Sequence, residues 1–165
     1  MAMLQIQFFS QCLRREVSFS ALVPLDTLPF PDQPAAEEIC PLKALYLLHG
    51  YSGNHTDWLH FSRIRELSDK YKIAVFMPSG ENNFYLDDED KGQLYGEFLG
   101  KELVDFTRLM FPLSANREDT FIGGLSMGGY GAIRNGLKYA ERFGGDHCPV
   151  VSTDYLQNSR SGPRL

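Results

Sequence analysis

The 165-residue chain has the length of a single domain, and its 43% hydrophobic and 22% charged residues are typical of a globular protein. Its net charge of −5 argues against the clustered basic surface of a nucleic-acid-binding protein, and no apolar run is long enough to cross a bilayer. Three unpatterned cysteines favour reduced thiols over disulfides or a zinc site, and the first residues lack a secretory signal. We therefore predict a cytoplasmic protein without nucleic-acid or membrane partners. The sequence makes no prediction of its oligomeric state.

Strands alternate with helices along most of the chain. Residues 4–10 and 17–23 alternate in polarity, which predicts an antiparallel pair of strands. A proline-rich surface loop is predicted at 24–41. The remaining predicted elements are buried strands at 44–50, 72–78 and 119–125 and helices at 61–70, 95–111 and 128–143. This order predicts an α/β fold with a mostly parallel sheet and flanking helices.

The run FIGGLSMGGYGA at residues 121–132 contains the pattern Gly-x-Ser-x-Gly around Ser126. This pattern holds a nucleophilic serine on a tight strand-to-helix turn, where a Cβ atom at Gly124 or Gly128 would collide with its neighbours. The serine then lies at a helix N-terminus, whose free N–H groups favour developing negative charge. The predicted strand and helix on either side favour a catalytic serine. The alternative is a glycine-rich turn that only packs the helix on the strand.

A second signal is His49-Gly50-Tyr51, which directly follows a buried strand. A tetrahedral oxyanion needs two N–H donors, one from the residue after the nucleophile and one from a loop after an earlier strand. Met127 and Tyr51 occupy these two positions. We assign His49 a structural role, in which it holds the loop by hydrogen bonds, rather than the role of the catalytic base.

The runs LYLLHGYSGNHTDW, FMPSGENNFYLDD and IGGLSMGGYGAIRNGLKYAERF resemble the tributyrin-esterase branch of the esterase D family, α/β-hydrolases related to S-formylglutathione hydrolases. The resemblance covers residues 4–143 and implies an α/β-hydrolase fold. It also implies a serine carboxylesterase with a small-molecule partner, a short-chain acyl ester, and with no metal or organic cofactor. Ser126 would be the nucleophile, Tyr51 and Met127 the oxyanion hole, and Tyr85 a substrate-binding aromatic near the acyl group. The alternative for Tyr85 is a loop aromatic packed on the core.

In α/β-hydrolases the catalytic acid and histidine follow the serine along the chain. His147 is the only histidine after Ser126. A helix through Arg142 would carry the chain roughly 24 Å from the serine, and the few residues that remain before His147 are too short to return. Asp146 would point to the opposite face of a strand, and Asp154 comes after the histidine. We predict that His147 is not the catalytic base.

The resemblance stops at Phe143, and residues 144–165 lack a buried-strand pattern. We therefore expect residues 1–143 to form the α/β-hydrolase core, through the helix after the serine, and 144–165 to be an aberrant, poorly packed tail that leaves an apolar sheet edge and helix face exposed. A frameshift near Gly145 would explain the tail, because suitable codons read one nucleotide later encode an apolar strand; a natural short form is the other explanation. The nucleotide sequence distinguishes the two. The missing triad partners predict impaired esterase activity, and they leave a non-catalytic binding or assembly protein as the alternative.

Overall fold

The computed structural model describes residues 1–25, 41–144 and the backbone of 150–151. Eight strands lie in these residues: β1 (Ala2–Ser10), β2 (Arg15–Val23), β3 (Lys43–Leu48), β4 (Ile73–Pro78), β5 (Asp87–Asp88), β6 (Gln93–Leu94), β7 (Thr120–Leu125) and β8 (Val150–Val151). Six of them form one sheet in the order β1-β2-β4-β3-β7-β8, and β5 pairs with β6 in a separate ribbon. The β1–β2 and β2–β4 pairs are antiparallel, whereas β3 pairs in parallel with β4 and β7. The predicted α/β fold is confirmed.

Helices cover both faces of this sheet. They are α1 (Asp57–Phe61), α2 (Ile64–Tyr71), α3 (Tyr95–Glu97), α4 (Leu103–Met110) and α5 (Met127–Lys138), with a π-helical turn at Phe98–Glu102 that joins α3 to α4. In β4, Ala74 and Phe76 belong to the apolar cluster that includes α4 and α5, whereas Val75 and Met77 belong to a second cluster with Ile64 of α2. Because successive strand residues point to opposite faces, the sheet is buried between two helical layers.

The helices differ from the predictions in three places. The helix predicted at 61–70 begins three residues later, as α2 at Ile64, and a separate short helix, α1, precedes it. The helix predicted to reach residue 143 ends at Lys138. The helix predicted at 95–111 is interrupted by the π-helical turn around Gly100. A Cβ atom at Gly100 would lie 2.1 Å from the ring of Tyr139, so the backbone there approaches α5 more closely than a side chain would allow. Tertiary packing therefore decided the local helix geometry.

The tail predicted at residues 144–165 lies mostly outside the described residues. The described parts are Gly144 and the backbone of Val150–Val151. The two valines pair in parallel with Gly124 and Leu125, so the expectation of an exposed sheet edge is wrong at this end of β7. The expectation that no strand follows residue 143 is wrong at this position, because a two-valine strand is too short to show a hydrophobic period. The expected exposure of an apolar helix face is observed in α5, where Ile133 is 45% and Leu137 is 76% exposed.

Asp87 connects the α3 helix to α5. Its Oδ1 accepts hydrogen bonds from the N–H groups of Gly96 and Glu97, at 2.7 and 3.1 Å, and its Oδ2 accepts one from Lys138 Nζ at 2.8 Å. Burial by itself would raise the pKa of Asp87, but the hydrogen bond from Lys138 and the backbone donors lower it below its usual value. The folded protein therefore stabilises the ionised form of this carboxyl.

We expect Asp87→Asn to lower the free energy of unfolding at pH 7 by about 1 kcal/mol, because the charged hydrogen bonds are lost. A carboxyl with a depressed folded pKa contributes stability above its unfolded pKa of about 3.9, and that stability is lost as the pH falls through the folded value. The unfolding free energies of the parent protein and of Asp87→Asn should therefore converge as the pH falls below about 4. Urea unfolding at pH 7 and pH 3 measures the effect. Asp88→Asn, at an exposed pair with Lys91, should change little at either pH.

Candidate active site

Ser126 occupies the turn between β7, which ends at Leu125, and α5, which begins at Met127. Its backbone has φ 54° and ψ −115°, a conformation that non-glycine residues rarely adopt and that costs on the order of 1–3 kcal/mol. A Cβ atom at Gly124 would lie 2.5 Å from the carbonyl of Gly128, and one at Gly128 would lie 2.4 Å from the carbonyl oxygen of Leu48. The two glycines therefore permit this strained turn, as the sequence predicts.

The Ser126 side chain is exposed at the N-terminus of a twelve-residue helix. Met127 is the first residue of α5 and is 2% exposed; its N–H group has no acceptor within the helix. First-turn N–H groups that have no acceptor within the helix, together with the helix dipole, create a positive potential beside the serine hydroxyl. This environment suits an oxyanion donor.

The loop after β3 meets Ser126 from the other side. In the sheet, Leu47 and Leu48 lie opposite Gly123 and Gly124, so β3 and β7 end together. A Cβ atom at Gly50 would lie 3.8 Å from the Cβ atom of Ser126. Tyr51 follows directly, which brings the second predicted oxyanion residue next to the serine. Its role as a donor stays a prediction.

His49 holds this loop in place. The side chain is 1% exposed, its Nε2 accepts the N–H of Gly80 at 2.8 Å, and its Nδ1 lies 2.7 Å from the carbonyl oxygen of Gly50. Because Nε2 is an acceptor, the imidazole proton is on Nδ1, where it is donated to Gly50. Both ring nitrogens are thus engaged, which agrees with the structural role predicted for His49.

The substrate-binding prediction for Tyr85 is corrected by its surroundings. The residue is fully buried, with its ring against Gly80 and Gly131, and its hydroxyl donates to the carbonyl oxygen of His49 at 3.0 Å. Burial raises the pKa of Tyr85, so the hydroxyl remains a donor. A ring without exposed surface has no face to offer a substrate, and the packing alternative describes Tyr85 better.

Two asparagines that the sequence analysis missed complete the support of the site. Asn135 of α5 is fully buried and donates to the carbonyl oxygens of Tyr85 and Gly131, at 3.2 and 2.9 Å. Asn82 accepts the N–H of Ser52 at 2.8 Å. The sequence offered one signal for Asn135: it is a polar residue on the buried face of a predicted helix, and buried polar side chains are normally hydrogen-bonded. Through Tyr85 and His49, Asn135 connects the helix after the serine to the loop of Tyr51.

We expect Tyr85→Phe to lower the free energy of unfolding by about 1–2 kcal/mol, because the buried carbonyl oxygen of His49 loses its donor. Urea denaturation measures the loss. Tyr51→Phe removes the same atom from a side chain that is 60% exposed, and it should leave the unfolding midpoint unchanged. Equal midpoints for the two variants would contradict the anchoring role of Tyr85.

Within residues 1–25 and 41–144, no histidine or carboxylate hydrogen-bonds to the Ser126 hydroxyl. His55 Nδ1 lies 2.8 Å from Ser20 Oγ, and burial, followed by the nearby His49, lowers the pKa of His55. His60 is exposed on α1 and lies beside Phe61. His147, like Asp146 and Asp154, lies outside the described residues. The described part of the site therefore holds a serine and two candidate oxyanion donors without a base.

The described residues offer neither a metal site nor a membrane-spanning helix. No group of three or more His, Cys, Asp or Glu side chains in the described ranges is arranged to hold a metal ion. No helix among the described residues has the length and apolar character that crossing a membrane requires.

The "Putative esterase" family model matches residues 28–154, which is most of the chain. The chain belongs to this esterase family. It is 54% identical over 147 residues to an acetyl esterase of Caldicellulosiruptor saccharolyticus, a match that covers 88% of this chain and 54% of the relative. This esterase-family chain therefore spans about half the length of that curated relative.

Solved structures of hydrolases also resemble this esterase-family chain over about half of their length. A fluorophosphonate-binding serine hydrolase F of Staphylococcus aureus has 31% identity and a TM-score of 0.73, and the match covers 86% of this chain and 54% of the hydrolase. An S-formylglutathione hydrolase of the same organism has 31% identity, a TM-score of 0.72 and the same coverage. These matches confirm the α/β-hydrolase fold and the resemblance to S-formylglutathione hydrolases.

Proposed function

We propose that the chain carries the nucleophile and oxyanion half of a serine carboxylesterase site. The observation that carries this proposal is the left-handed backbone of Ser126 between β7 and α5, with Gly50 against its Cβ atom. A strained serine at a helix N-terminus, beside the loop of an earlier strand, has the geometry that acyl transfer requires. Membership of the esterase family supports the same reaction.

In the proposed reaction, Ser126 Oγ attacks the carbonyl carbon of the ester while a base removes the hydroxyl proton. The N–H groups of Tyr51 and Met127 hold the oxyanion of the tetrahedral intermediate, and the alcohol leaves with a proton. Water then hydrolyses the acyl-serine by the same route. By the order of the triad in α/β-hydrolases, the acid and the histidine belong after Ser126 in the chain.

The proposed substrates are short-chain acyl esters, including those of the tributyrin type. The acetyl esterase among the relatives supports a small acyl group. A pocket of about 90 Å³, lined by Gly50, Trp58, Phe61 and Leu125 among others, lies beside the turn and has room for only a few carbon atoms. We propose a small-molecule ester as the partner and the cytoplasm as the location.

A non-catalytic α/β-hydrolase-like protein, which binds a ligand or assembles through its surface, is the second candidate. One observation favours it: within the described residues, Ser126 has no base. An α/β-hydrolase that lacked a base would keep its pocket and its fold but would lose acyl transfer.

A chimera separates the two candidates. It joins residues 1–143 to the portion of the C. saccharolyticus acetyl esterase that follows the matched region, and hydrolysis of 4-nitrophenyl acetate is measured with and without Ser126→Ala. The proposed function expects rapid hydrolysis that depends on Ser126. A folded chimera whose rate is low, or is unchanged by Ser126→Ala, favours the non-catalytic protein.

The division into a hydrolase core at residues 1–143 and an aberrant tail at 144–165 remains a proposal as well. Its test is the gene. A shifted reading frame downstream of Gly145 that encodes further strands, an acid and a histidine supports a frameshift, and the absence of such a frame contradicts it.

A further inference from the structure

Three aromatic side chains form an exposed row beside Ser126. Tyr51 is 60% exposed, Phe84 43% and Tyr130 50%. The ring centroid of Phe84 lies 6.0 Å from that of Tyr51 and 6.0 Å from that of Tyr130. Contiguous exposed apolar surface on a folded protein often marks a binding site, and separations of this size allow tilted and edge-to-face contacts. We call Tyr51, Phe84 and Tyr130 the aromatic ridge.

Both ends of the aromatic ridge flank the serine. Tyr51 follows Gly50, where a Cβ atom would lie 3.8 Å from that of Ser126. Tyr130 lies one helical turn beyond the serine, with its N–H bonded to the Ser126 carbonyl oxygen at 3.0 Å. Helical side chains lean towards the helix N-terminus, so the Tyr130 side chain leans towards the turn that carries Ser126.

Phe84, the middle residue of the aromatic ridge, lies in a loop whose backbone is strained. Glu81, Phe84 and Tyr85 have φ values of 48°, 52° and 57°. Left-handed backbone in non-glycine residues is unfavourable and persists only where the surroundings impose it. Here Tyr85 is anchored on both sides, by its hydroxyl to His49 and by its carbonyl to Asn135. This strained loop buries Tyr85 and turns Phe84 out towards Tyr51 and Tyr130.

We propose that the aromatic ridge is a subsite for a planar aromatic ring of the ester substrate. An aromatic ring can stack on, or meet edge-on, three half-exposed rings that lie within one contiguous surface next to the reacting serine. A saturated ring of the same size fills similar space but lacks the ring quadrupole and the flat face. The inference deepens the proposed function and rests on it for the position of the ring relative to the ester group.

Binding, rather than turnover, tests the ridge. The Ser126→Ala chain is titrated with phenyl acetate and with cyclohexyl acetate, and separately with methyl benzoate and methyl cyclohexanecarboxylate, while NMR shifts or heat are recorded. The aromatic member of at least one pair should bind about threefold to tenfold more tightly than the saturated one. The first pair places the ring on the alcohol side of the ester and the second on the acyl side.

Leucine variants test whether the preference for an aromatic ring depends on the residues of the ridge. Phe84→Leu and Tyr130→Leu should each reduce the aromatic preference to near unity, whereas Tyr71→Leu, at an exposed aromatic of α2 outside both the ridge and the pocket, should retain it. If Phe84→Leu fails to fold on its strained backbone, Tyr130→Leu on the helix surface carries the test. Equal affinities within both pairs, or a preference that survives Tyr130→Leu, would overturn the proposal. Because this background lacks the nucleophile, the result is independent of whether the chimera hydrolyses esters.

Discussion

The 165-residue chain is expected to hydrolyse 4-nitrophenyl acetate only at a trace rate, and Ser126 should show negligible labelling by a fluorophosphonate probe. A serine hydroxyl without a base is barely ionised at neutral pH, and within the described residues Ser126 has no such base. Loss of triad members typically removes on the order of 10⁴- to 10⁶-fold of kcat. The oxyanion donors and substrate binding should leave a rate roughly 10³ to 10⁴ above that in water.

The control for this rate is Ser126→Ala. Because triad members act as a unit, removing the serine from a site that already lacks its base should change the trace rate little. The S. aureus serine hydrolase F, whose description names fluorophosphonate binding, provides the positive control for labelling. Robust turnover by the chain that Ser126→Ala abolishes would contradict the prediction. It would mean that His55, His60 or a neighbouring copy supplies the base.

Gly128→Ala is expected to lower the free energy of unfolding by about 3 kcal/mol, the upper end for an overpacked core, or to prevent folding. The added Cβ atom would lie 2.4 Å from the carbonyl oxygen of Leu48 and 2.6 Å from that of His49. Both are backbone atoms at the end of a central strand, so no side-chain rotation relieves the contact. The helix would have to move away from β3 and take Ser126 with it.

A second glycine of the same helix is the matched control. At Gly136 the nearest atom to an added Cβ is Ile122 Cγ2 at 3.3 Å, and alanine is favoured over glycine in a helix by about 1 kcal/mol. Gly136→Ala should therefore change stability by no more than about 1 kcal/mol. Urea denaturation of the two variants gives both values. A Gly128→Ala variant as stable as the parent would mean that α5 does not pack on the end of β3 as described.

The turn that carries Ser126 was predictable from sequence because its constraints are local. Gly124, Ser126 and Gly128 lie within five residues, and the strand before them and the helix after them show in the hydrophobic pattern. The same holds for the strands of the parallel sheet, whose buried runs are continuous. The break at Phe98–Glu102 was not predicted; it lies where Gly100 approaches the ring of Tyr139, a residue far away in the chain that no local pattern links to it.

The residues that anchor the loops around Ser126 were also not predictable from local sequence patterns. The family resemblance predicts a substrate-binding role for Tyr85, yet the direction of its side chain is set by hydrogen bonds to His49 and Asn135 that no local pattern contains. The aromatic ridge likewise joins residues from three separate segments.

By itself, the sequence determined the fold class, the strand–serine–helix turn and the loop that faces it, because hydrophobic periodicity and glycine spacing act over a few residues. Only the tertiary structure decided which loop residues are buried as anchors and which are exposed beside Ser126. These choices depend on backbone strain at Phe84 and Tyr85 that long-range hydrogen bonds and packing maintain.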